Sequence, residues 1–176
     1  MNKKVAVMVV NPVNGLGLFS YLEHFFENNI QFKTFAVAER KTVKTNSGIK
    51  LETDYVVNEL IGKTDEFDAL VFACGNAMPK FAENVNQSYN QALLKVINAF
   101  ADKRKLIAGH CAAALLFDNI KALYGKRVAL HPLAKKLVQN VVATDKDIIT
   151  DNNLFTAKDE NEAARLASLV VQALNN

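Results

Sequence analysis

The side chains best suited to chemistry in this chain are two cysteines, Cys74 and Cys111, and three histidines, His24, His110 and His131. Cys111 stands within Lys105-Leu106-Ile107-Ala108-Gly109-His110-Cys111-Ala112-Ala113-Ala114, a short apolar run that passes into small residues. That order follows the logic of a nucleophile elbow, where a strand reverses into a helix so abruptly that only small neighbours avoid the apex. Gly109, Ala112 and Ala113 supply the smallness, although Ala113 stands where an elbow often has glycine. The apex side chain then projects above a sheet near a helix N-terminus, where unpaired N–H groups favour an anion and a thiol ionises more readily. The Ala112 amide is placed to face an oxyanion. The same residues also read as a buried cysteine leading into an alanine-rich helix, since a lone cysteine is usually a small buried hydrophobe.

A second strand end, Phe72-Ala73-Cys74-Gly75-Asn76, offers the Gly75 amide as another oxyanion donor, because glycine lets backbone approach a ligand closely. Gly75-Asn76 is equally a plain turn, and Cys74 is expected to point into the core. If the two strands end side by side, Cys74 and Cys111 lie near each other and an oxidative link between them becomes conceivable. His131-Pro132 follows the apolar run Arg127 to Leu130. A histidine beside a thiol acts as its base or stabilises its thiolate. A structural role for that histidine is about as well supported. His110 adjoins Cys111, but neighbours on a tight turn commonly point apart, so His131 is the preferred partner and His110 the second choice. His24 is expected on a helix surface. No ligand spacing of the CxxC or HExxH kind occurs, so neither a metal site nor a cofactor is expected.

These residues need a scaffold, and the pattern supplies one. Lys4 to Val10 reads as a strand buried on both faces, and Leu18, Leu22, Phe25 and Phe26 recur at helical spacing. Ile30 to Val37 predicts a second strand. Thr42 to Lys44 and Ile49 to Glu52 flank Thr45-Asn46-Ser47-Gly48 as a hairpin. Ala69 to Cys74 and Lys105 to Ala108 predict further strands. Ser88-Tyr89-Asn90-Gln91 has the spacing of a capping box before a helix carrying Leu93, Leu94, Val96, Ile97 and Phe100. Arg127 to Leu130 predicts a strand and Leu133 to Gln139 a short helix. A hairpin turns at Asp151-Asn152. The last helix is expected to start at Asp159, with the stripe Ala163, Leu166, Ala167, Val170, Val171 and Leu174. Strands alternating with helices imply a mostly parallel sheet with helices on both faces, and one domain over residues 1–176. Ligands of such sheets sit beyond the carboxyl ends of the strands, where Cys111, Gly75 and His131 all fall.

The bulk composition narrows the function classes. The chain has 176 residues, half of them apolar and 22% charged, an ordinary globular mix. No apolar run approaches the ~20 residues needed to span a bilayer, and Asn11-Pro12 interrupts the first apolar stretch before it could serve as a signal peptide. A cytoplasmic protein without membrane contact is expected. The net charge of +3 raises nucleic acid as a partner. However, Lys103-Arg104-Lys105 and Lys135-Lys136 lack the clustering and interleaved aromatics of a binding footprint and read as solvated surface.

The strand Phe67-Asp68-Ala69-Leu70-Val71 running into Gly75-Asn76, the Cys111 elbow, and His131-Pro132-Leu133-Ala134-Lys135 together resemble the DJ-1/PfpI family of the class I glutamine amidotransferase-like superfamily. The resemblance extends from Lys4 to Leu174. It implies a flavodoxin-like three-layer sandwich, usually a homodimer, with Cys111 at the elbow, oxyanion amides from Gly75 and Ala112, and His131 beside the sulfur. The family normally carries a glutamate near the start of the first helix, hydrogen-bonded to the cysteine. Here the loop reads Asn11-Pro12-Val13-Asn14-Gly15-Leu16-Gly17, with Gly17 at that position and Asn14 or a partner's carboxylate as possible substitutes. Ala73 and Cys74 replace the usual proline and first glycine of the oxyanion loop, and no acidic residue follows His131 at the second position. Two functions are therefore carried forward. One is a cysteine-dependent hydrolase or lyase, protease- or amidase-like or glyoxalase- or deglycase-like. The other is a non-enzymatic redox, stress-response or ligand-binding protein with a redox-sensitive or vestigial Cys111.

Overall fold

The computed structural model describes residues 3–78, 81 and 83–176. Its frame is a seven-stranded sheet in the order β10-β11-β7-β6-β1-β2-β5. The strands are β1 (Lys4–Val10), β2 (Gln31–Val37), β5 (Tyr55–Val56), β6 (Ala69–Ala73), β7 (Leu106–His110), β10 (Ile148–Asp151) and β11 (Leu154–Ala157). Every neighbouring pair is parallel except β10 with β11, the hairpin at one edge. A sheet covered on both faces demands strands without a polar side, and β6 is buried at every position. Outside this sheet, β3 (Thr42–Lys44) and β4 (Lys50–Glu52) form the expected hairpin.

Among the described residues, four α-helices complete the layers: α1 (Gly15–Glu27), α2 (Ser88–Asp102), the one-turn α3 (Ala114–Phe117) and α4 (Ala163–Asn175). Helix α1 packs beside α4, while α2 packs against strands β2, β6 and β7. All six residues of the stripe expected on α4 are buried. On α1 the reading needs correction at one position, since Phe26 is 74% exposed while Tyr21, not singled out by the pattern, is fully buried.

Other elements depart from expectation for identifiable reasons. The capping box at Ser88 does not form. The cap is Gln87, Ser88 is already helical, and the Gln91 side chain donates to the Val85 carbonyl. The last helix begins at Ala163, because Asp159 caps a single 3₁₀ turn instead, its carboxylate accepting from Asn161 N–H at 2.9 Å. Of the strand expected from Arg127 to Leu130, only β8 (Arg127–Val128) forms. It pairs with β9 (Val142–Ala143) away from the main sheet. The helix expected at Leu133 to Gln139 is a 3₁₀ segment, Pro132–Leu137. Three backbone N–H groups that follow it, of Gln139, Asn140 and Val141, donate to the buried Asp118 carboxylate at the end of α3. The basic clusters are surface or paired. Lys103 meets Asp65, and Lys105 donates to the Thr64 and Phe67 carbonyls.

Strand β7 runs two residues further than the pattern predicts, through Gly109 and His110. This extension carries the His110 ring into the core against the first turn of α1. There Tyr21 Oη and His110 Nδ1 form a hydrogen bond of 2.9 Å, and Nε2 finds no partner among the described residues. A Cβ built on Gly17 would lie 2.5 Å from both Cε1 and Nε2 of that ring. Gly17 is therefore glycine because the imidazole fills the space its side chain would need. Burial also pushes the imidazole pKa down from 6.5 to about 4, so His110 is neutral near pH 7.

Two outcomes follow from this packing. Gly→Ala in a helix ordinarily stabilises by up to ~1 kcal/mol. Gly17→Ala should instead destabilise by about 1–3 kcal/mol, the usual cost of overpacking. The penalty should shrink when His110 is also cut to alanine, and additive losses in a denaturant double-mutant cycle would contradict the packing account. Next, the unfolded chain binds a proton at His110 between pH 6.5 and 4 that the folded chain refuses. Stability from this group is full above pH 6.5 and falls as pH drops, by about 3 kcal/mol near pH 4. Urea unfolding of wild type and His110→Gln across this window should show the shallower fall in the variant.

Candidate active site

The turn after β7 is the expected elbow, and its geometry is specific. Cys111 sits at φ 58°, the left-handed region, which costs a non-glycine residue roughly 1–2 kcal/mol. Two hydrogen bonds hold it there: Cys111 N–H donates to the Ala157 carbonyl at the end of β11 (3.0 Å), and its own carbonyl accepts from His131 N–H (3.1 Å). Strain maintained by surrounding structure at a strand end is characteristic of reactive positions. The small residues are needed as read: a Cβ on Gly109 would come within 2.7 Å of the Ala113 Cβ. One part of the expectation changes. Helix α3 begins at Ala114 and has four residues, so its dipole is too short to be the main stabiliser of a thiolate.

That role falls to a second sulfur. Strands β6 and β7 are parallel neighbours with Phe72 opposite Gly109. Cys74 and Cys111 each follow that pair by two residues, just past the ends of the two strands. The thiols hydrogen-bond to each other, and this bond is the largest influence on both. Cys111, half-buried at the surface, has its pKa lowered, first by the bond from Cys74 and also by the Ala112 N–H, against burial and the nearby Glu160 and Asp159 charges. Cys74, 1% exposed, has its pKa raised well above the ordinary value by the bond to Cys111 and by burial. Cys111 thus ionises first, with Cys74 S–H as donor. Cys74 does enter the core as expected, yet it also forms the floor of the site.

The two amides expected to hold an oxyanion lie beside different parts of the thiol pair. Ala112 N–H reaches both sulfurs, and Gly75 N–H reaches that of Cys74. Gly75 must be glycine for closeness to the β1–α1 loop: a Cβ there would lie 2.3 Å from the Pro12 carbonyl oxygen. Asn14 N–H donates to the Cys74 carbonyl (2.9 Å), and the Asn14 side chain caps α1 by accepting from Gly17 N–H (2.9 Å). Its amide is thereby engaged in the cap.

Around the thiol pair opens a cleft of about 380 Å³. His131, Leu133, Leu137, Met78 and Leu115 line it together with Cys111. His131 Nδ1 accepts from Leu133 N–H at 3.3 Å, which leaves the proton of the neutral ring on Nε2. His110 also borders the cleft, but its polar atoms are tied to Tyr21 or buried. His24 lies elsewhere, on α1, with Nδ1 bonded to the Ser20 carbonyl. Glu160 lines the wall opposite, a carboxylate that the sequence reading did not select. Only the parallel pairing of β11 with β7 brings it beside Cys111, and nothing in its own neighbourhood signals this. Among the described residues, no three His, Cys, Asp or Glu side chains cluster as a metal site. A larger groove of about 760 Å³ opens past β1 and β2 and does not include Cys111.

Comparison with known proteins agrees with this architecture. The chain is 53% identical over 174 residues to Protein ppBat of Bacteroides thetaiotaomicron, covering 99% of each. A solved structure from that organism, described as "putative protease I", superposes with a TM-score of 0.95 at 53% identity, covering 98% of this chain and 99% of that one. Drosophila melanogaster DJ-1beta shares the fold at 20% identity, with a TM-score of 0.84 over 99% of this chain and 91% of its own. The DJ-1/PfpI family profile matches residues 3–173. The chain belongs to the DJ-1/PfpI family.

Proposed function

We propose that the protein is a cysteine-dependent hydrolase or lyase acting through Cys111 on a small carbonyl, ester or peptide substrate. The observation that carries this reading is the ionised-ready thiol at a strained elbow, with a buried thiol donor beneath it and an open cleft above. The Cys111 thiolate attacks the carbonyl carbon, and negative charge passes to the oxygen. The Ala112 and Gly75 amides are the preorganised donors nearest to that charge, and one such donor is typically worth about 3 kcal/mol of barrier. The His131 Nε2–H and the Glu160 carboxylate stand on the cleft wall to deliver and remove protons. Gly17 cannot take that part, and its space belongs to His110.

The cleft supports small substrates, since about 380 Å³ lies at the low end for small-molecule sites. The relative described as a protease points to acyl transfer within the same range of chemistry. A homodimer, implied by the family, forms part of this reading. Leu133 and Leu137, 82% and 64% exposed at the rim, offer apolar surface to a second copy.

Cys111→Ser should abolish turnover of methylglyoxal or of small ester and peptide substrates, a loss of at least about 10³-fold for a missing nucleophile. Equal inactivity of wild type and variant across such a panel would end the proposal. The pH dependence tests the thiol pair directly. Iodoacetamide alkylation of Cys111 requires the thiolate, so its rate should rise with pH through a pKa below the ordinary cysteine value. In Cys74→Ala the same rise should move to higher pH, because the donor that stabilises the anion is gone.

A further inference from the structure

The buried thiol beneath Cys111 is more than a hydrogen-bond donor. We propose that Cys74 and Cys111 form a reversible dithiol–disulfide centre that reduces hydroperoxides, with Cys111 as the attacking sulfur and Cys74 as the resolving one. The proposal shares a readily ionised Cys111 with the function above, but it needs no carbonyl substrate.

The geometry comes first. Adjacent strands of a sheet lie about 4.8 Å apart, and disulfides form across Cα separations of roughly 4.4–6.8 Å. The last paired residues of β6 and β7 are Phe72 and Gly109, and Cys74 and Cys111 each follow by two residues, just past the neighbouring strand ends. Both sulfurs border the same cleft and contact each other through their hydrogen bond. Access is divided between them. Cys111 is half-buried and open to the cleft, whereas Cys74 is 1% exposed. A peroxide therefore meets Cys111, and Cys74 reacts only with what Cys111 becomes.

The steps balance. The Cys111 thiolate attacks the distal oxygen of the hydroperoxide, the O–O bond breaks, and the alkoxide leaves to take up a proton. Sulfur is oxidised to the sulfenic acid and the peroxide is reduced to an alcohol, or to water from hydrogen peroxide. Cys74 sulfur then attacks Cys111 sulfur; the S–S bond forms, the S–O bond breaks, and hydroxide leaves with the Cys74 proton as water. A dithiol reductant attacks the accessible Cys111 sulfur, expels Cys74, and closes its own disulfide, restoring both thiols.

The site also orders these steps. Two of the three influences that keep Cys74 protonated come from Cys111, through its hydrogen bond and its charge. Both disappear once Cys111 is a neutral sulfenic acid. The Gly75 and Ala112 N–H groups then remain to stabilise a Cys74 thiolate. Oxidation of the first thiol thus eases ionisation of the second, with burial alone left to oppose it.

The test uses reduced full-length protein exposed to a small excess of hydrogen peroxide, followed by alkylation and mass analysis. Wild type should become lighter by two hydrogens, lose both alkylatable thiols, and yield a linked peptide pair containing Cys74 and Cys111 within one chain. Dithiothreitol should restore both thiols, and peroxide consumption should then proceed over many cycles. In Cys74→Ser and Cys74→Ala, Cys111 should instead gain oxygen, and cycling should fall to background. The proposal is overturned if wild type gains two oxygens on Cys111 while Cys74 stays alkylatable. Cross-linking between chains, or a thiol pair inert to peroxide, overturns it equally. Wild-type mass change needs no variant to fold, and turnover of the ester and dicarbonyl panel is measured without peroxide, so the two proposals fail separately.

Discussion

The hydrogen bond between the Cys74 and Cys111 thiols is the contact around which this site is organised. It exists because two parallel strands, β6 and β7, end within one register of each other. When a pair of hydrogen-bonded thiols loses one proton, the other stays shared in the bond. Which sulfur keeps it is decided by burial, since a charge on the enclosed Cys74 would cost far more than one on Cys111 at the cleft. The elbow contributes by turning Cys111 outward, and the parallel pairing of β7 with β11 contributes by fixing the Cys111 amide on Ala157. The three strand ends thus work as one unit.

Beside this bond lies an exchange of space between two residues far apart in sequence. Gly17 on α1 has no side chain, and the His110 ring fills the space one would need. His110 cannot simply assume a carboxylate's role. It is neutral, it is bonded to Tyr21, and its other nitrogen faces the α1 backbone. It is better understood as packing that holds α1 against the end of β7. The acid nearest the cleft is supplied instead by Glu160, from the turn that follows β11.

The frame was readable because its signals are local and repetitive. Apolar runs such as Val5 to Val10 and the stripe on α4 report burial directly, and the hairpin at Thr45-Asn46-Ser47-Gly48 is marked by turn residues. The elbow was readable because steric smallness leaves few residue choices. Long-range placement left no such trace. Whether His110 pointed in or out depended on β7 extending two residues beyond its apolar run, which Gly109 permits only because α3 packs so closely. Tyr21 escaped the pattern since its hydroxyl looks polar until a partner for it is known. The capping box failed for a different reason: Gln91 found a carbonyl at Val85 and left Ser88 inside the helix. Glu160 became part of the site only through strand order, a property of the whole sheet.

These placements combine into a single electrostatic result. Burial raises the Tyr21 hydroxyl and lowers the His110 imidazole, and the bond to Cys111 together with burial raises the Cys74 thiol, so all three are neutral at physiological pH. Asp159 and Glu160 oppose an anion at Cys111, but Glu160, the larger influence of the two, acts from the wall of an open cleft, where water weakens its field. The thiol donor acts at contact distance from the protected side. The shorter, drier interaction prevails, and the Cys111 pKa is lowered rather than raised.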